Sequence, residues 1–180
     1  MPQAQAGAYL GHFCYDGRRC LIKEFAIMHT DAPAQDLVWT DAFLVGYDPM
    51  DDTHREFVDI VSALLKATDA DMLSHMRALI AHSEKHFSLE EHYMNTTAFP
   101  ARECHTNEHN AVLGSMREVA DYIENGGNPA EARRLAVELT RWFPSHTDYL
   151  DASLAQWVAK KQLGAVPIVV RRGVANHDAE

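Results

Sequence analysis

The chain has 180 residues, 47% of them apolar, and a formal net charge of −10 at neutral pH. That is enough apolar material for one cored domain, but the charge has the wrong sign for nucleic acid or for an anionic membrane face. No apolar run reaches bilayer-spanning length, and the N-terminus lacks the basic-then-apolar layout of a signal peptide, so a cytoplasmic protein is expected.

Residues 1–38 show no sustained periodicity, and Asp31-Ala-Pro-Ala-Gln has linker composition, so this stretch is expected to be an irregular, appended arm. From Trp39 the pattern tightens. Gly46-Tyr-Asp-Pro has turn chemistry, and Asp51 or Asp52 is placed to cap a first helix that carries His54, Phe57, Val61 and Leu64 on one face. A second helix, from about Asp71, aligns Met72, Met76, Leu79, Ser83, His86, Glu90 and Met94, and should stop before Phe99-Pro100. A third puts His105, His109, Val112, Met116, Val119 and Ile123 in one stripe and ends at Asn125-Gly-Gly. Asn128-Pro129 restarts the chain, with Asn as cap and Pro in the first turn. The fourth helix then carries Leu135, Leu139, Trp142, His146, Leu150 and Leu154 towards Trp157. Four amphipathic helices on short connections predict an all-α, antiparallel up-down four-helix bundle over residues 39–160, followed by a C-terminal tail at 161–180.

Histidine is the anomalous residue. There are eleven, eight of them between His54 and His146. Burying a polar group is costly unless it is paired, yet every stripe carries imidazoles or carboxylates. His86 and Glu90 are four apart, as are His105 and His109, so each pair projects from adjacent turns of one face. His146 and Asp151 are five apart, which suits a helix containing a π-turn. His54 adds one more ligand. A single such pair arises by chance in many helices, but four helices supplying matched inward ligands do not. Five imidazoles and two carboxylates without a thiolate suit iron, manganese or zinc, and two carboxylates among seven ligands suit a pair of metals. The three cysteines, Cys14, Cys20 and Cys104, form no CxxC pair, which argues against both a disulfide framework and a thiolate zinc site. Cys104 is expected to be a small packing residue. His82 is expected in the core or at the surface rather than at the metal, and His75 and His92 at the surface.

These residues resemble the hemerythrin family in its single-domain bacterial form. The resemblance rests on Trp39-Thr-Asp-Ala-Phe-Leu-Val-Gly-Tyr-Asp-Pro-Met-Asp-Asp-Thr-His54, His86-Phe-Ser-Leu-Glu90-Glu-His-Tyr-Met94, Phe99-Pro100 where a Tyr-Pro is usual, His105-Thr-Asn-Glu-His109, and His146-Thr-Asp-Tyr-Leu-Asp151. It covers residues 39 to 158. It implies an oxo- or hydroxo-bridged centre of two iron ions per chain. His105, His109 and His146 would complete one iron, His54 and His86 would bind the other, and Glu90 and Asp151 would bridge both. It further implies reversible O₂ binding at the iron with fewer ligands, for delivery, storage or sensing, rather than catalysis. The expected ligands are O₂, azide or nitric oxide, and the chain is expected to be a monomer or weak homo-oligomer.

The chain departs from the family around the fourth-helix histidine. Phe143 stands where leucine is usual, Pro144 follows it, Thr147 replaces an aliphatic residue, and Asp148 occupies a usually apolar position. Phe143 and Asp148 are therefore expected to line the O₂ pocket. An inward carboxylate at Asp148 would favour the alternative of a di-iron redox enzyme, an oxidase, a peroxidase or a nitric oxide-processing protein, over a carrier. An iron-handling or regulatory module is a third possibility.

Overall fold

The computed structural model describes residues 37–164 and 168–169, together with the backbone pairing of 10–15 with 19–24. Its helices are α1 (Asp48–Lys66), α2 (Met72–Thr96), α3 (Arg102–Glu124), α4 (Ala130–His146) and α5 (Ala152–Leu163). The π-turn Thr147–Asp151 joins α4 to α5. With α4 and α5 running on as a single bundle element, α1 packs on α2 and α4, and α3 packs on α2 and α4, closing the four-helix ring that the stripes predict.

Three of the stripes are apolar at both ends and polar in the middle, and that of α3 opens with its histidines, so the core is split into two apolar clusters with a polar layer between them. One cluster contains Phe57, Val61, Leu79, Phe87, Met116, Leu139 and Phe143. The other contains Val45, Met50, Met94, Phe99, Leu154 and Val158. On α1, His54 falls between Met50 and Phe57. On α2, Glu90 falls between Phe87 and Met94. On the last element, His146 and Asp151 fall between Phe143 and Leu154. The layer is therefore sealed from above and below.

Local chemistry sets the element ends. The first helix begins at Asp48, with Pro49 in its first turn, earlier than expected. Asp51 does not cap it. Its carboxylate instead accepts from the backbone N–H groups of Val45 (2.8 Å) and Gly46 (3.1 Å), fastening the leading loop onto α1. Asn128 does cap α4, its Oδ1 accepting from Ala130 N–H at 3.0 Å.

Two expectations are corrected. The arm is not wholly irregular: Leu10–Tyr15 and Arg19–Glu24 pair antiparallel, with Cys14 opposite Cys20. Two six-residue strands are too short to set up a sustained periodicity, although the intervening sequence, Asp16-Gly17-Arg18, has hairpin-turn composition. Cys104 is not a simple packing residue, because it is disulfide-bonded. An odd cysteine count excludes a complete framework, but it leaves room for one bridge. The rest of the expected arm, residues 1–9, 16–18 and 25–36, lies outside the described residues, as do 165–167 and 170–180 of the tail.

The same cap ends α2 and α3 with different residues. After α3, Gly126 adopts φ 85°, its N–H donates to Ile123 O, and Gly127 N–H reaches back to Tyr122 O. After α2, Ala98 takes the same left-handed position at φ 52°, with Ala98 N–H to Asn95 O and Phe99 N–H to Met94 O. Left-handed backbone strains any residue carrying a Cβ. Ala98→Gly should therefore stabilise the protein and Gly126→Ala should destabilise it, each by about 1 kcal/mol. Denaturant midpoints at constant m-value check this, and shifts of the same sign in both variants would contradict it.

Candidate metal centre

All seven side chains singled out by the sequence, His54, His86, Glu90, His105, His109, His146 and Asp151, are buried and converge on the polar layer. Their spacing in the chain explains the convergence. His86 and Glu90 stack on consecutive turns of α2, with His86 Nε2 2.8 Å from Glu90 Oε1. His105 and His109 do the same on α3, their ring centroids 4.4 Å apart. The five-residue step from His146 to Asp151 is spanned by the π-turn, in which Ala152 N–H donates five residues back to Thr147 O. Pro144 sits just before it. Without an N–H, Pro144 cannot donate to the carbonyl four residues earlier, and that loosens the ladder where the turn widens.

Each carboxylate is divided between two sides of the layer. Glu90 Oε1 faces His86 at 2.8 Å and His54 Nε2 at 3.8 Å, while its Oε2 faces His105 at 3.2 Å and His109 at 3.4 Å. Asp151 Oδ2 faces His54 at 3.2 Å, and its Oδ1 faces His105 at 3.1 Å and His146 at 3.2 Å. Donor atoms thus form two groups sharing Glu90: His54, His86 and Glu90 on one side, and Glu90, His105, His109, His146 and Asp151 on the other.

The buried atoms satisfy one another only in part. His54 Nε2, His105 Nε2, Glu90 Oε2 and both Asp151 oxygens lack a hydrogen bond despite these short separations. Orphaned polar atoms of this kind cost several kcal/mol in an apolar core unless something else neutralises them, roughly on the scale of polar-group transfer. Two divalent or trivalent cations fit this donor set, which is nitrogen- and oxygen-rich and free of thiolate.

In the absence of metal, protons hold the charges together. Burial acts to depress the His54 pKa, but Asp151 and Glu90 overcome it and raise it to about 9. Burial likewise opposes protonation of His146, while Asp151 and then Glu108 push it up to about 10. Burial acts to raise both Glu90 and Asp151, and the Asp151 charge pushes Glu90 the same way, yet the surrounding imidazoles hold both well below the usual carboxylate range. His109 goes the other way, lowered by burial and by its neighbour His105.

Glu108, which the sequence reading missed, belongs to the site. Its Oε1 accepts from His146 Nδ1–H at 3.0 Å and from Trp142 Nε1–H at 2.9 Å, and the Trp142 ring lies 4.3 Å from that of His146. With Nδ1 committed to the carboxylate, Nε2 of His146 is left to face the layer. The signal in the sequence is a Glu directly before His109 and a Trp one turn before His146. His109 is held by a different device, a parallel stack against Phe87 at 3.8 Å.

The expected pocket residues separate. Phe143 is buried, stacked on Phe57 at 4.8 Å and edge-on to His54 at 5.5 Å. Asp148 is exposed on the outer side of the π-turn and does not line the pocket, because the widened turn carries His146, Thr147 and Asp151 inward and leaves Asp148 and Tyr149 outside. With Asp148 outside, that position supplies no inward carboxylate to favour a redox enzyme. His82 is buried beside His86, with Nδ1 3.4 Å from Glu56, and burial followed by the His86 charge lowers its pKa to about 4. It joins neither donor group. His92 is exposed and His75 half-buried.

Two outcomes follow for this centre. Because His54 and His146 bind protons more tightly in the folded metal-free protein than in the unfolded chain, their stabilisation is complete below the ordinary imidazole pKa of about 6.5 and disappears as pH rises through about 9 to 10. Glu90 and Asp151 have the opposite sign, and their contribution is lost in acid. Metal-free protein should therefore show a falling alkaline limb of Tm that metal-loaded protein lacks, and equal limbs in both forms would contradict this. Glu108→Ala should weaken metal binding roughly 10- to 100-fold, with Glu108→Gln intermediate, as measured by competition with a chelator. Wild-type affinity in Glu108→Ala would show that the carboxylate does not orient His146.

Comparison with known proteins agrees with this geometry. Residues 45–158 match the family model described as the hemerythrin HHE cation binding domain. The bacteriohemerythrin of Ralstonia nicotianae is 37% identical over 123 residues, covering 68% of this chain and 89% of that protein. The bacteriohemerythrin of Aquifex aeolicus is 34% identical over 119 residues, covering 62% and 89%. The myohemerythrin of Sipunculus nudus is 29% identical over 90 residues, covering 50% and 73%. With the family match spanning well over half its length and its buried imidazole-carboxylate layer able to hold metal, this chain belongs to the hemerythrin family.

Proposed function

We propose that this chain takes up O₂ reversibly at a di-iron centre in which His105, His109 and His146 hold one iron, His54 and His86 hold the other, and Glu90 and Asp151 bridge the two. The protein is a di-iron oxygen-binding protein by family, and the proposal concerns which residues do the work and that uptake is reversible. The observation that carries it is the division of both carboxylates: each presents one oxygen to the His54 side and the other to the His105 side.

Held by these seven residues, a pair of iron ions would supply the reversible two-electron chemistry that O₂ uptake and release require. The chain's own residues set the conditions. Three imidazoles against two make the His54 side the less furnished one, and so the side where a small molecule is admitted. Phe143, Phe57 and Phe43 wall that side, with Phe43 edge-on to Phe143 at 5.2 Å, which excludes water and limits entry to small guests. Glu108 fixes His146 on the opposite side. No described helix is long and apolar enough to cross a membrane. A cytoplasmic location, a monomeric or weakly associating state, and binding of azide or nitric oxide at the same side complete the proposal.

Iron-replete protein should contain two irons per chain, and Glu90→Ala and Asp151→Ala should each lose most of both, because each removes a ligand that the metals share. Reduced protein exposed to air should develop an oxygenated spectrum that vacuum reverses. One metal per chain, an unchanged iron content in either variant, or oxidation without a reversible spectrum would overturn the reading.

A further inference from the structure

Thr147 carries a hydroxyl that the fold leaves without a partner. The residue is 1% exposed, and its Oγ1 makes no hydrogen bond. Several other hydroxyls on the helices do donate to a carbonyl about one turn back: Thr97 to Tyr93 O at 2.7 Å, Thr140 to Val137 O at 2.8 Å, Ser153 to Tyr149 O at 2.7 Å. At Thr147 the backbone N–H already engages Phe143 O and Pro144 O, and the hydroxyl joins neither. A buried hydroxyl without a partner is costly, and its position is worth asking about.

Thr147 opens the π-turn, one turn after Phe143 and one turn before Asp151. Both flanking residues touch the same ring: Phe143 lies edge-on to His54 at 5.5 Å, and Asp151 Oδ2 is 3.2 Å from His54 Nε2. Residues about one turn apart share a helix face, so Thr147 occupies the middle of the row that lines the His54 side. Ser83 also has a buried, unpartnered hydroxyl, but it is not in that row.

We propose that the Thr147 hydroxyl donates a hydrogen bond to the small guest admitted beside His54 and His86, and that it selects guests presenting an acceptor lone pair, such as reduced O₂ or azide, over apolar guests of the same size. This rests on the reading of the His54 side given above. The donated bond slows guest release and satisfies the hydroxyl only while the guest is present.

The test uses the full chain loaded with iron, as wild type, Thr147→Val and Thr147→Ser. Thr147→Val keeps the shape and removes the donor. It should release O₂ about tenfold faster and weaken azide binding to the oxidised protein by a similar factor, the size of one hydrogen bond. Thr147→Ser should stay close to wild type. A solvent-deuterium effect on O₂ release should be present in wild type and absent in Thr147→Val. Metal-free protein gives a readout independent of any guest, because Thr147→Val removes an unpaired hydroxyl and should raise the urea midpoint. If Thr147→Val releases O₂ and binds azide as wild type does at full iron content, the proposal is overturned. A lowered metal-free midpoint also overturns it, since the hydroxyl would then have a protein partner. If wild type holds no O₂, the oxygen reading fails separately, and azide affinity alone decides the hydroxyl: a tenfold loss in Thr147→Val sustains its role, and no change ends it.

Discussion

Two carboxylates, each fully buried, lie at the centre of this bundle, and most of the architecture follows from keeping them neutralised. Glu90 and Asp151 face each other's charge in a medium that screens poorly, an arrangement that on its own would drive one of them to protonate. Five imidazoles surround them and hold both ionised. Imidazoles are long enough to reach the centre from four different helices, yet each can be satisfied in more than one protonation state. The layer can therefore exist as a proton-bound cluster or as a metal-bound one without changing its donors. The apolar clusters above and below keep water away from either state.

That arrangement makes the surroundings of each ligand matter. His146 is steered by a charged acceptor that also holds an indole, His109 by the flat face of Phe87, and His54 by the edge of Phe143. The three devices differ in kind. A carboxylate behind an imidazole raises its donor strength, whereas aromatic packing fixes only its direction. The two sides of the layer are consequently unequal in electronic character as well as in ligand number, with the more electron-rich ligand on the more heavily furnished side.

Much of this was legible in the sequence because the stripes were interrupted in phase. His86 with Glu90, and His105 with His109, keep the four-residue step of the apolar residues around them, so helix, face and ligand were readable together. The His146–Asp151 step was readable for the opposite reason, since it fits no regular α-helix and two polar residues would otherwise diverge. Glu108 was not legible, because its role depends on which rotation α3 and α4 adopt against one another, and no pattern within either helix records that. Asp148 was misplaced because being two residues beyond a ligand says little in a turn of altered width. The paired strands of the arm and the bridge at Cys104 escaped for want of length and of an even count.

The π-turn has a consequence beyond the spacing of two ligands. It holds one residue more than an α-helical turn would, so everything after it stands about 100° from where an uninterrupted α-helix of the same residues would place it. Leu154, Ala155 and Val158 face the second apolar cluster only because of that offset. If the same residues wound as a regular α-helix with none removed, Asp151 would swing away from His146 and, in the same step, the apolar face of α5 would turn out of the core. The geometry of the polar layer and the packing of the last helix thus both depend on the same extra residue being absorbed in that one turn.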